Sequence, residues 1–93
     1  MKLFKSVDER LADLGFVKVC DDKFIVSYER YNDEYKYTHV LDICHKRSGR
    51  HIIQSYDKES ATTDGCNNVG LTYLETKLAL KKMKQKGWNR VKN

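Results

Sequence analysis

Three histidines and three cysteines are the side chains of this sequence best suited to chemistry: His39, His45, His51, Cys20, Cys44 and Cys66. Imidazole and thiolate together suggest zinc, which takes three or four such ligands at tetrahedral sites. Cys44, His45 and His51 surround one short hairpin. Adjacent strand residues point to opposite faces, so Cys44 and His45 cannot readily share an ion. Cys44 and His51 are expected on one face, diagonally placed at roughly 7–8 Å. That makes two ligands, and no C-x-x-C or H-x₃-H spacing supplies the rest. No metal and no cofactor is therefore expected.

Hydrolysis would need a nucleophile, a base and an orienting group that converge. Asp42 and Ser55 are expected opposite each other on the solvated face of a sheet, near Thr38, where a polar ladder accounts for them. His39 is expected beside Val26 on the buried face, as a hydrogen-bonded core histidine. Ser48-Gly49 and Asp64-Gly65 read as turns, and no glycine-rich phosphate loop is present. No catalytic residue is assigned, and the chain is expected not to be an enzyme.

Charge is the stronger signal. Residues 71–93 hold Lys77, Lys81, Lys82, Lys84, Lys86, Arg90 and Lys92 against the single acid Glu75, a net of +6, whereas residues 1–70 sum to −1. The overall +5 thus belongs to one C-terminal helix and tail, which can attract nucleic acid or an acidic partner protein. On the helical wheel, Tyr73, Thr76, Leu80 and Met83 form one stripe, expected to face the core. Leu74 and Leu78, with Trp88 nearby, form a second apolar strip that could meet the first helix or an external partner.

The elements that must position these groups follow from spacing. Ninety-three residues make a single domain, 1–93. No apolar run approaches the roughly 20 residues that span a bilayer, and the polar start lacks a signal-peptide core. Three cysteines at irregular spacing argue for a reducing, cytoplasmic setting. Ser6-x-x-Glu9 and Thr72-x-x-Glu75 are capping boxes, predicting helices over Val7–Leu14 and Tyr73–Lys86, closed by Gly15 and Gly87. Between them lie four strand-like runs, roughly 16–20, 24–31, 35–46 and 51–57. Two-residue turns at Asp21-Asp22, Asn32-Asp33 and Ser48-Gly49 would pair Val17 with Val26, Tyr28 with Tyr37 and Cys44 with Ile53.

One face then collects Val17, Val19, Phe24, Val26, Tyr28, Tyr37, His39, Leu41, Ile43, Ile52 and Tyr56. The other holds mostly polar side chains, with an Ile25, Val40 and Ile53 patch. The prediction is an α+β fold of order α-β-β-β-β-α: a four-stranded antiparallel meander with both helices on one face. Residues 57–70 form the one long polar connection.

The helix–strands–helix order resembles the double-stranded-RNA-binding domain, but its lysine motif is not matched where this helix begins, at Thr72-Tyr73-Leu74-Glu75. It is also similar in topology to HicA-type toxins, small basic ribonucleases. The stretch Asp21-Asp22-Lys23-Phe24 lacks their catalytic histidine. Length, lysine-rich composition, absence of proline, and stretches such as Tyr37-Thr38-His39-Val40 and Gly70-Leu71-Thr72-Tyr73-Leu74-Glu75 resemble small uncharacterised phage and prophage proteins of low-GC Gram-positive bacteria. That resemblance implies an accessory protein that acts by binding.

The expectation is a non-enzymatic protein, monomeric or weakly dimeric, whose basic helix engages nucleic acid. Lys77, Lys81, Lys82, Lys84, Lys86 and Arg90 would act as phosphate contacts. The alternatives are a protein-interaction module using Leu74, Leu78 and Trp88, as in a phage modulator of a host protein, and a small ribonuclease-like toxin.

Overall fold

The structure is a computed structural model that describes residues 4–61, 65 and 67–88. Helix α1 (Val7–Asp13) and helix α2 (Tyr73–Gln85) frame four strands: β1 (Val17–Asp21), β2 (Ile25–Asn32), β3 (Tyr37–His45) and β4 (His51–Asp57). The strands form one antiparallel sheet in chain order. This is the α+β arrangement that the spacing predicts. Among the described residues, no helix is long and apolar enough to cross a membrane.

Both helices begin and end by the same local chemistry. Ser6 and Thr72 accept from the amides of Glu9 and Glu75, whose carboxylates bond back to the cap amides. Each C-terminus closes on a left-handed glycine. Gly15 and Phe16 donate to Ala12 and Leu11, and Gly87 and Trp88 donate to Lys84 and Met83. The residue after each glycine is buried, so each stop also anchors an aromatic ring in the core.

That core lies between the helices and one face of the sheet. Val7 and Leu11 of α1, and Leu78, Ala79 and Met83 of α2, close over Val26, Tyr28, Leu41 and Ile43, with Phe16 and Trp88 at either side.

Three turns differ from the two-residue expectation. After β2, Asn32 Oδ1 accepts from the Tyr35 amide and the loop widens to residues 33–36. Tyr28 therefore faces Leu41 instead of Tyr37. This shift is even, so Tyr28, His39, Leu41 and Ile43 keep their predicted face. Between β3 and β4, Gly49 donates to Lys46 O while Lys46 N donates to Arg50 O, with Gly49 at φ 89°. This is a three-residue turn with a glycine bulge. Cys44 consequently pairs with Ile52, not Ile53.

A one-residue slip reverses every side chain of a strand. Ile53 and Ser55 therefore join the helix-covered face, while Ile52 and Tyr56 move to the open one. The predicted Ile25, Val40 and Ile53 patch accordingly loses Ile53 to the core.

A bulge reverses the first part of β1 too, while Cys20, next to the turn, keeps its expected open face. Asp22 Oδ1 accepts from both Phe24 N and Ile25 N, and a bulge lies between Lys18 and Cys20. Val17 then faces Glu29, and Val17, Val19 and Phe24 are exposed rather than buried. Lys18 and Asp21 take the helix side in their place. The long 57–70 connection is more structured than a plain loop. A 3-10 turn spans Lys58–Ser60, and Asp57 N and Val69 N bond Asn67 O and Ser55 O respectively. Cys66 lies outside the described residues.

The glycine bulge carries the β4 register. Gly49→Val places a branched side chain in left-handed space and should cost about 1–2 kcal/mol. A lowered urea midpoint with unchanged denaturant dependence is the expected result. An unshifted midpoint would contradict the turn.

Candidate functional site

Helix α2 divides its lysines between two faces. Glu75, Leu78, Ala79 and Met83 are its buried residues, which sets the inward direction. Lys82 and Lys86 point the same way. Lys82 reaches Asp8 at 3.2 Å with its side chain only 12% exposed, and Lys86 reaches Asp21 at 2.9 Å. Lys18 joins both acids, at 3.0 Å to each, and Tyr28 donates to Asp8. One ionic seam thus ties α1, β1, β2 and α2 together. Burial alone would raise the Asp8 pKa, but hydrogen bonds from Tyr28, Lys18 and Lys82 outweigh it and hold the carboxyl below its ordinary range. The Lys86 hydrogen bond, followed by that of Lys18, brings Asp21 down to about 2.

Tyr73, Lys77, Leu80, Lys81 and Lys84 form the opposite, exposed face. Tyr73 and Leu80, predicted to meet the core, are 80% and 53% exposed. Lys77 lies over the Tyr73 ring, 5.4 Å from its centre. Lys77, Lys81 and Lys84 recur every four and three residues, a ridge about 10 Å long. None of them forms an ion pair among the described residues.

Of the six predicted phosphate contacts, the structure therefore leaves three free on one face and engages Lys82 and Lys86 internally. Arg90 lies outside the described residues. The predicted protein-binding strip also separates: Leu78 and Trp88 are core residues at 3% and 6% exposure, and only Leu74 is open.

Beneath α2 runs a partly buried polar chain that the sequence reading did not anticipate. Glu75 Oε2 pairs with Arg30 Nη1 at 2.8 Å, and Arg30 Nη2 bonds His39 Nδ1 at 3.2 Å. His39 Nε2 bonds Ser55 Oγ. Arg30 also donates to Leu14 O and stacks over Phe16, its guanidinium carbon 4.2 Å from the ring centre. Burial would raise the Glu75 pKa, but the Thr72 amide and Arg30 prevail and keep it low.

Ser55 beside His39 superficially resembles a nucleophile with its base. Arginine can only donate, so Nδ1 of His39 accepts and Nε2 carries the proton it gives to Ser55. His39 is therefore a donor towards Ser55 and has no lone pair there to act as a base. Burial first, and Arg30 second, push its pKa below the usual 6.5.

The remaining candidates are dispersed. Asp42, on the open face, accepts from Ser27 and from Tyr56. Cys44 lies on that face as well, whereas His51 faces His45 on the helix side, so Cys44 and His51 do not share a face as predicted. His45 stacks between His51 and Trp88, at ring separations of 4.8 and 5.6 Å. Among the described residues, no group of three metal-ligating side chains converges.

A cavity of about 710 Å³ opens beside β4 on the helix side of the sheet, lined by Ile53, Ser55, Asn68, Leu71 and Thr76. Comparison with protein-family models, curated proteins and solved structures gave no match. The reading of function therefore rests on these surfaces.

His39 gives a pH signature of this buried chain. The unfolded chain takes up a proton near pH 6.5, whereas folded His39 resists it, so stability present above that pH is lost on acidification down to the depressed folded pKa. The slope is at most about 1.4 kcal/mol per pH unit. Comparing urea midpoints at about pH 7.5 and about pH 5.5, His39→Gln should be less acid-sensitive than the parent. Equal sensitivity would show that His39 is not held neutral.

Proposed function

We propose that this chain is a non-enzymatic nucleic-acid-binding protein whose contact surface is the outer face of α2. The observation that supports this most is the segregation of charge around that helix. Its inward lysines are neutralised by Asp8 and Asp21, while Lys77, Lys81 and Lys84 face outward with no acid paired to them among the described residues. Held-out ammonium groups in a row match the regular charge of a phosphate backbone. At 3.4 Å per phosphate along a strand, a ridge of about 10 Å spans roughly three. Such contacts carry affinity and register rather than sequence preference. Tyr73, exposed at the helix start, adds a surface for base stacking.

A narrower observation favours a second reading, docking of a partner protein. A groove of about 350 Å³ separates α1 from α2, with Phe4, Leu14 and Leu74 as its apolar walls and Lys5, Arg10 and Asp13 among its lining residues. Phosphate contacts weaken steeply with salt, whereas an apolar groove is nearly indifferent to it.

Anisotropy titrations with labelled single-stranded and duplex DNA and RNA, across a salt series, test the proposal. Three phosphate contacts give a log–log salt slope of about −2 for single strands. Lys81→Glu with Lys84→Glu should abolish binding at moderate salt while leaving the unfolding midpoint unchanged. Lys82→Ala should do the reverse, lowering stability through the loss of one of Asp8's three partners. Absence of binding even at low salt would overturn the proposal.

A further inference from the structure

The cavity beside β4 is built differently from the lysine ridge, and it shares helix α2 with that ridge through Thr76. Its floor is apolar, with Ile53, Val69 and Leu71, and no charged side chain lines it among the described residues. Its polar walls are one amide and two hydroxyls, Asn68, Ser55 and Thr76, with the backbone edge of β4 beside them. An occupant matched to it is neutral, part apolar and edged with hydrogen-bonding groups.

The two hydroxyls have defined roles. Ser55 Oγ accepts from His39 Nε2, so its own proton is available to donate. Thr76 Oγ1 donates to Thr72 O at 2.9 Å, so its lone pairs are available to accept. The buried Glu75–Arg30–His39 chain holds the first, and the helix backbone holds the second. A donor and an acceptor are thus presented from opposite walls.

The strand edge contributes as well. Ser55 O accepts from Val69 N, so Ser55 and, two residues back, Ile53 turn their peptide groups away from β3. The 67–69 segment pairs with β4 only at residues 55–57 before the chain departs for Thr72. The edge left facing the cavity is too short to receive an added strand but suits a planar ring with polar edges.

Thr76 also links the cavity to the ridge. On α2 it lies beside Tyr73 and Leu80, three residues before and four residues after, and these two separate it from the outward lysines around the helix. A strand with one group seated in the cavity would therefore cross Tyr73 and Leu80 to reach the outward lysines.

We infer that this cavity receives one unpaired nucleobase of a single strand whose phosphates lie along Lys77, Lys81 and Lys84. Bases are flat and uncharged, and they carry neighbouring donors and acceptors on their edges, which amide and hydroxyl side chains read. A duplex keeps those edges paired and cannot enter. The inference rests on the nucleic-acid reading of α2 and adds strand selectivity to it.

The test uses a short labelled strand, DNA or RNA according to which binds, beside the same strand carrying abasic positions and its duplex. The parent should bind the intact strand roughly ten-fold more tightly than the abasic one, and more tightly than the duplex. Ser55→Ala and Thr76→Val should each erase much of that preference while retaining the salt slope and the Trp88 emission of the folded protein. Lys81→Glu should weaken intact and abasic strands alike.

Equal, salt-sensitive binding of intact and abasic strands would overturn the cavity assignment and leave the lysine ridge standing. Loss of preference in Lys81→Glu but not in Thr76→Val would also overturn it. No binding of any strand at low salt would remove both readings together.

Discussion

The ion pair between Glu75 and Arg30 decides how α2 sits, and the presentation of both candidate surfaces depends on it. Glu75 is the third residue of its helix and already bonds the Thr72 amide. Its other oxygen meets an arginine from the middle of the sheet at 2.8 Å. A carboxylate 3% exposed tolerates burial only when paired and hydrogen-bonded. Rotating α2 by even a third of a turn would bring Tyr73 or Lys77 towards the core and leave Arg30 facing apolar neighbours. The pair thus specifies a rotation more than it adds net stability.

From that rotation follows the division of the lysines. Lys82 and Lys86 fall within reach of Asp8 and Asp21, which come from α1 and from the end of β1. The acids of the first quarter of the chain therefore cancel part of the basic C-terminal helix, and they do so on one side only. What remains outward is a shorter basic ridge than the residue count suggests, but a less compensated one. The same Arg30 orders His39, and through it the Ser55 hydroxyl at the cavity wall. One buried carboxylate therefore influences both the charged ridge and the neutral cavity beside it.

Turn chemistry is the second control. At the bend after β2 a longer loop changed partners and preserved faces, because the shift was even. At Gly49 a shift of one residue moved Ser55 beneath the helices, next to His39, and moved Tyr56 to the open face beside Asp42. In β1, the bulge between Lys18 and Cys20 turned Val17 outward and Lys18 inward, to join Asp21 in the ionic seam beside the turn that Asp22 closes. The apolar patterning of β1 pointed the other way. On an edge strand, two salt bridges to the helix layer prevailed over burial of two valines.

Local signals were legible in the sequence by itself. Capping boxes and closing glycines bounded both helices within about a residue, since these motifs act over three or four positions. Alternation along the two central strands identified Val26, Tyr28, His39, Leu41 and Ile43 as buried, because the longer turn between those strands shifted their register by an even number of residues. The α+β order and the basic last helix followed from the same kind of reading. Tertiary structure alone decided the rest: the rotation of α2, the faces of β1 and β4, the pairing of Lys82 and Lys86, and the chain from Glu75 to Ser55. Each depends on a partner at least nine residues away, or on a turn one residue longer than the shortest available. Helical periodicity describes both faces of α2 and does not say which of them the sheet will hold. Arg30 and Glu75 settle that, and they become neighbours only once the sheet has formed.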